Sequence, residues 1–484
     1  MTQHSAVNDI HTLRVVICGG GASAVLLLCA LKESSSRPLA VTVFEPRERL
    51  GAGVAYSTRC PAHVLNTRAS NMAASGSDTD FLFWLRSERD RRGFNWGADD
   101  FAPRQYYGDY LQSRLREVYS AKNIKLSWQR RAAQHVVAGD EGWQVRPSQG
   151  PAVPADIIVF ATGNEPPTPL GTELPAVAQR LVLNNPWQSE ALNELPRDAA
   201  VLIAGTGLTA VDAVVELLHR RHTGPLYAFS RRALMPRVHG DALELPESLR
   251  ASLPTSLRAL VKRVRELSGD ARAERWRGVM LQLRSRAPHI WAAWDLEERR
   301  RFLRHVRPFW DVHRHRLAPE VHAKLSRALS RGQLSVVRGR LEALEQVGAR
   351  GTLRATLRRG AAPAAVLEGA ALINCTGPAA DVRRSNNSLL RSIIADGHVR
   401  PDALSLGLAT DERFHVLSHD GAVQRTLYAL GPLARGRQWE LTAVPEIREQ
   451  VRLVARDIEL YATVRARRAA EEHAAHPASV QMAL

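Results

Sequence analysis

The first strong pattern along the chain is an apolar run that breaks on glycine. Leu13-Arg14-Val15-Val16-Ile17-Cys18 is almost wholly apolar, as a strand buried on both faces should be. It leads into Gly19-Gly20-Gly21-Ala22-Ser23-Ala24, then an apolar segment from Val25 to Leu31. A β-branched run, Val41-Thr42-Val43-Phe44, follows and ends on Glu45. The pattern predicts strand, turn, helix and strand. The same order returns later. Ala199-Ala200-Val201-Leu202-Ile203-Ala204 precedes Gly205-Thr206-Gly207-Leu208-Thr209-Ala210, a helix is expected from Asp212 to Arg221, and Leu226-Tyr227-Ala228-Phe229 ends on Ser230-Arg231-Arg232. Three more apolar strands end in small-residue turns, at Thr162-Gly163, at Gly377 and at Gly431. An α/β fold is expected, with two Rossmann-like dinucleotide-binding domains, the second inserted into the first.

Between these units the pattern changes. Phe81 to Leu85 and Phe101 to Leu111 each open an amphipathic helix, the second with Pro103 at a favourable start. Trp128 to Gln144 reads as short strands. From Asp241 to about Leu303 the periodicity is helical and charged, which predicts a helical insertion ending in the cluster Arg307-Pro308-Phe309-Trp310-Asp311-Val312-His313-Arg314-His315-Arg316. Alternating strands resume from Gly332, and a long helix starts near Ala443. The expected division is 13–185 and 370–465 for the first domain, 186–240 and 317–369 for the second, 241–316 for the insertion and 466–484 for a tail.

Composition adds limits. The chain has 484 residues, enough for several cores, and 45% apolar content. No run of about 20 apolar residues is present, so no membrane span is expected. The polar, acidic N-terminus does not read as a signal peptide. Cys18, Cys29, Cys60 and Cys375 form no C-x-x-C pair, which favours a reduced cytoplasm over a dithiol or zinc site. The net charge of +17 comes mainly from arginine spread over helices, which reads as solvated faces and not as a nucleic-acid surface. His313 and His315 stand two apart without a convincing third ligand, so no metal site is expected.

The glycine turns carry the chemistry. Gly19, Gly21 and Ala24 satisfy the dinucleotide pattern: a tight turn, close approach of backbone N–H groups to a pyrophosphate, and a helix packed near its strand. Ala22 and Ser23 lie within that turn, and Glu45 sits where an acid accepts from a ribose 2′-OH. The second unit has Gly205, Thr206 and Gly207 but ends on Ser230, Arg231 and Arg232. An acid there would repel a 2′-phosphate, whereas these residues would bind it. FAD is therefore expected in the first site and NADPH in the second. Gly53, Thr162, Gly163, Gly377 and Gly431 are expected to let backbone lie close to these cofactors.

Together these stretches, with His63-Val64-Leu65-Asn66 and Ala443 to Arg448, resemble FAD/NAD(P)-binding proteins related to class B flavin-dependent, N-hydroxylating monooxygenases. That group includes nitrosuccinate-forming aspartate N-monooxygenases. The resemblance implies oxygen transfer from a C4a-hydroperoxyflavin to a small amine or amino acid, with NADPH and O2 as co-substrates. It places Asn66 beside the flavin as the catalytic candidate. A carboxylate-bearing substrate needs a cation, for which Arg307 and Arg314 are candidates, with Trp310 beside them. S- or C-oxygenation, reduction of an acceptor, and a non-catalytic nucleotide-binding role are the competing readings. A homo-oligomer is compatible with all of them.

Overall fold

The structure, a computed structural model, describes residues 12–475 except 75, 89–94, 141, 188, 243–252, 255, 270–273, 349–350 and 380. The first unit runs β1 (Leu13–Cys18), α1 (Ala22–Ser34), β2 (Leu39–Phe44), α2 (Asp80–Ser87), α3 (Arg104–Tyr119) and β3 (Ile124–Gln129). β4 (Ala133–Gly139), β5 (Gly142–Pro147) and β6 (Val153–Ala155) form a small antiparallel sheet. β7 (Ile157–Phe160) then pairs in parallel with β1, Val15 opposite Ile157. On its other edge β1 pairs in parallel with β2, Val15 opposite Val41. A strand flanked on both edges and covered on both faces has no polar side to show. That is why Val15, Val16, Ile17 and Cys18 are all buried.

The second unit runs β8 (Val182–Leu183), β9 (Val201–Ala204), α4 (Leu208–His219) and β10 (Leu226–Ser230). The helical block follows as α5 (Leu257–Ser268), α6 (Trp276–Ala293), α7 (Leu296–Arg301) and α8 (Arg307–Arg314), then α9 (Pro319–Ser330). A π-helical turn at Phe302–Val306 joins α7 to α8. Strands β11 (Leu334–Arg338), β12 (Arg340–Val347), β13 (Thr352–Arg359), β14 (Ala362–Gly369) and β15 (Ala371–Asn374) come next. The chain ends with α10 (Ser388–Ala395), β16 (His415–Leu417), β17 (Val423–Ala429) and α11 (Val444–Ala475).

Two principal sheets result. The first is ordered β16-β17-β7-β1-β2-β3 and the second β11-β10-β9-β15-β8, with β12-β13-β14 as an antiparallel appendage. The expected boundaries at 186 and 370 need correction. β8 and β15 both belong to the second sheet, where β15 pairs in parallel with β9 and β8. A two-residue strand shows no period, and β15 reads like β7 until its partner is known. The expected tail is corrected too, because α11 continues through Ala466 to Ala475. Its Ala, Arg and Glu content is that of a good helix former. Residues 476–484 lie outside the described residues.

α1 and α11 cover the first sheet. Val444, Ile447, Val451, Val454, Ala455, Ile458 and Ala462 form an apolar stripe at helical spacing that joins the same core as Ala24 to Leu31. Tyr107 and Tyr110 of α3 are fully buried there, as core and not cofactor contacts. Among the described residues, no helix is long and apolar enough to cross a membrane.

Candidate functional site

The two glycine turns share one geometry. Gly19 has φ +107°, and a Cβ on it would lie 2.4 Å from the carbonyl oxygen of Ala161 at the end of β7. Gly205 has φ +123°, and its Cβ would lie 2.2 Å from the carbonyl oxygen of Cys375 at the end of β15. In each unit the first glycine is required by both dihedral and contact. The helices that follow begin at Gly21 and Gly207, with no side-chain cap and no acid in the first turn. Their free N–H groups are a ready anion site. A Cβ on Gly207, Gly163 or Gly377 would meet nothing within 4 Å, so these glycines border open space.

In the first turn, Gly20 matters although the dinucleotide pattern ignores it. A Cβ there would lie 2.5 Å from both Glu45 Cβ and Leu50 Cδ2. Glu45 is buried and holds the turn: Oε2 accepts from the Gly20 N–H at 2.9 Å, and Oε1 from the Arg47 N–H at 3.0 Å. Each oxygen retains a lone pair for a ribose hydroxyl. Gly51 donates its N–H to the Gly20 carbonyl at 2.7 Å, and a Cβ on the nearby Gly53 would lie 3.4 Å from Gly21 Cα. Ser23 Oγ faces Gly431 (a Cβ there would be 3.0 Å away), Ala22 packs half-buried on the core, and Ala24 is buried. Thr162 Oγ1, just past β7, is buried with no hydrogen-bond partner among the described residues. A buried hydroxyl left unpaired is costly, and a ligand in the cradle would satisfy it. The donor set and the orphaned hydroxyl fit a dinucleotide.

In the second turn the expected roles separate. Ser230 Oγ is already in bonds with Thr206 Oγ1 at 2.9 Å and the Ala233 N–H at 3.0 Å. Thr206 Oγ1 also donates to the Leu234 carbonyl at 2.6 Å. These hydroxyls brace the turn. Arg232 lies 5.5 Å over the Phe309 ring and so leans toward α8. Arg231 is exposed and lines a cavity of about 840 Å³ that starts at Gly205–Gly207.

That cavity reaches Asn66 and Asn164 of the first unit, Arg307, Asp311 and His315 of the helical block, and Arg435, Trp439 and Glu440 near the C-terminus. The Asn66 carbonyl accepts from His239 Nε2 at 3.0 Å. Burial pushes the His239 pKa down to about 4, with Arg316 and Arg68 adding to it, so the ring is neutral near pH 7. Next to it, Arg104 of α3 pairs with Asp212 of α4 at 2.8 Å, tying the two units together. His313 bonds through Nδ1 to the Phe309 carbonyl at 2.7 Å. Burial pushes His315 down to about 4.

The candidates for substrate binding divide. Arg314 is spent on two carboxylates, Glu440 at 2.6 Å and Glu446 at 3.2 Å. Trp310 Nε1 donates to Glu440 at 2.8 Å. Both expectations are corrected: these residues clamp α8 to the start of α11. Arg314→Ala would leave Glu440 buried without its cation, and is expected to cost about 3 kcal/mol of stability in a denaturant titration. A loss under about 0.5 kcal/mol would sink the clamp reading. Arg307 faces the cavity, paired with Asp311 at 3.3 Å and placed 5.4 Å from the Trp439 ring centre.

One residue escaped the sequence reading. Arg435 is 7% exposed, lies 4.8 Å over the Trp439 ring, and has no ion pair or side-chain hydrogen bond among the described residues. Burial, then Arg307, pushes its pKa down to about 10, so it remains a cation. In a chain with 66 Lys and Arg, nothing local marks this one.

Two glycine-turn units, the second opening onto a cavity that reaches Asn66 and Asn164, define a two-Rossmann architecture. Residues 16–165 match a family model described as FAD-NAD(P)-binding. No curated protein matches the chain in sequence. Among solved structures, an ornithine N-hydroxylase from Kutzneria sp. 744 is similar, with TM-score 0.61 and 18% identity over 93% of this chain and 99% of that one. An L-lysine 6-monooxygenase from Pseudomonas syringae has TM-score 0.62 and 16% identity over 94% of this chain and 99% of that one. Thioredoxin reductase from T. acidophilum reaches TM-score 0.50 and 10% identity over 94% of this chain and 99% of that one. The shared property is the fold, so the chemistry must be argued from the residues.

Proposed function

We propose that the protein is an FAD- and NADPH-dependent monooxygenase that uses O2 to N-hydroxylate a small amine or amino acid. The observation that carries the reading is the cavity between the second glycine turn and Asn66, with a buried, unpaired guanidinium at Arg435. The names of the similar structures, an ornithine N-hydroxylase and a lysine 6-monooxygenase, support the amine class.

Gly19, Gly21, Ala22, Ser23, Ala24 and Gly53 would hold the FAD pyrophosphate on α1, with Glu45 at the ribose and Thr162 and Gly163 along its edge. Gly205, Thr206, Gly207 and Gly377 would hold NADPH on α4. The flavin, when bound, supplies the redox and oxygen chemistry. The chain supplies orientation. Asn66 lies in the cavity wall with its backbone held by neutral His239. Arg435, helped by Arg307, would anchor a substrate carboxylate and leave the amine free to face the flavin. Trp439, in contact with both cations, gives the anchor an apolar wall that weakens competition from water.

A flavin enzyme oxygenating sulfur or carbon is the second reading. A dithiol reductase is disfavoured, because burial pushes the Cys18 and Cys29 thiols up to about 12 and raises Cys375 as well. The four cysteines are free, which supports work in a reducing cytoplasm. The test is purified protein with NADPH, O2 and a panel of amino acids and polyamines. A flavin spectrum and an N-oxidised product by mass spectrometry are expected. Flavin reduction by NADPH with no N-oxidised product from any amine would sink N-hydroxylation, and absence of flavin would sink the enzyme reading.

A further inference from the structure

At the second cradle, two of the three residues that should recognise a 2′-phosphate are engaged elsewhere. Ser230 Oγ is bonded within its own turn, and Arg232 lies over Phe309. Arg231 alone remains from that strand end. A second arginine arrives from the neighbouring strand. The Gly339 N–H donates to the Ser230 carbonyl at 2.9 Å, which sets the β11–β12 junction against the end of β10. Gly339 itself is buried, and a Cβ on it would lie 2.7 Å from Leu357 Cβ. The chain can make this close pass only with glycine, and the pass delivers Arg340 to the cavity wall beside Arg231.

Arg340 is exposed and has no ion pair or side-chain hydrogen bond among the described residues. Its register partner across β12–β13 is another arginine, Arg358. Arg358 has an acid of its own, Glu342 at 4.0 Å, whereas Arg340 has none among the described residues. Arg231 is likewise without an acidic partner. Two free guanidiniums from adjacent strand ends thus border the cavity that begins at the anion-binding turn.

We propose that Arg231 and Arg340 together form the 2′-phosphate clamp, with Arg340 the specificity-determining residue that the strand-end pattern does not reveal. The proposal rests on the reading that this cradle takes NADPH. A phosphate monoester held between two planar guanidiniums can accept paired hydrogen bonds from both, which a 2′-hydroxyl cannot match. Arg232 is outside the clamp and Ser230 only shapes it.

The test uses the flavin-loaded protein and isothermal titration with 2′,5′-ADP, which carries the 2′-phosphate, and with 5′-AMP, which does not. Arg340→Ala should weaken 2′,5′-ADP about 10- to 30-fold and 5′-AMP less than 2-fold, as loss of a charge-assisted pair predicts. Arg231→Ala should do the same, Arg340→Lys should recover part of the loss, and Arg232→Ala should change neither. Steady-state KM should rise for NADPH and hold for NADH. Thermal melting should match wild type, since both residues are exposed. If Arg340→Ala binds 2′,5′-ADP as wild type does, or loses both ligands equally, the clamp is overturned. If wild type binds neither ligand, the cofactor assignment of the whole cradle fails instead.

Discussion

Arg435→Gln is expected to raise KM about 50-fold for whichever amine yields product, as loss of a buried charge pair to a substrate carboxylate predicts. NADPH-driven flavin reduction without amine should stay within about 2-fold of wild type, because Arg435 comes from the C-terminal part of the cavity lining and not from the Gly205–Gly207 turn. Stability gives an independent reading. The guanidinium is buried without an ion partner, and its desolvation is a standing cost to the folded protein. Removing the charge while keeping a polar side chain should leave Tm unchanged or higher. A purely structural Arg435 would do the opposite: Tm would fall, and the amine KM would hold. Arg435→Lys keeps the charge on a different head and should restore part of the affinity. An unchanged KM in the Gln variant would remove Arg435 from the substrate site.

The glycine turns give the second large effect, and its sign depends on position. Gly205→Ala puts a methyl 2.2 Å from the Cys375 carbonyl at φ +123°. Gly20→Ala puts one 2.5 Å from buried Glu45 and Leu50. Neither the strand-end backbone nor the buried neighbours have room to move aside, so both variants should fail to fold or lose several kcal/mol, roughly 3 or more. Gly207→Ala differs. Its methyl would meet no protein atom within 4 Å and would point where a pyrophosphate must approach. It should fold as wild type, with normal circular dichroism and bound flavin, yet raise the NADPH KM at least about 10-fold, as a blocked backbone approach implies. A Gly205→Ala protein with wild-type Tm would refute the steric account, and a Gly207→Ala protein with normal NADPH kinetics would refute the cradle.

Much of this was legible in the linear pattern because it depends on local backbone demands. Strands buried on both faces are apolar throughout, so β1, β2, β9 and β10 stand out. A tight turn into a helix N-terminus needs glycine, so both cradles stand out as well. Even the contrast between Glu45 and Ser230-Arg231-Arg232 can be read as a difference in cofactor charge. Boundaries were less legible. β8 is two residues long, and β15 resembles β7, so only pairing with β9 assigns them.

The substrate side depends on long-range placement. The sequence marked α8 as a cationic, aromatic cluster, but Arg314 and Trp310 turn onto Glu440, a partner more than a hundred positions away. Arg435 was one arginine among many until burial beside Trp439, with no ion pair among the described residues, set it apart. Arg340 gained meaning only when Gly339 brought β12 against the end of β10. By itself, the sequence determined that there are two glycine-turn strand–helix–strand units, since turn dihedrals and helix starts are set within a few residues. The tertiary structure decided which charges are neutralised and which remain free, because ion pairing and desolvation depend on neighbours that the chain brings together only by folding.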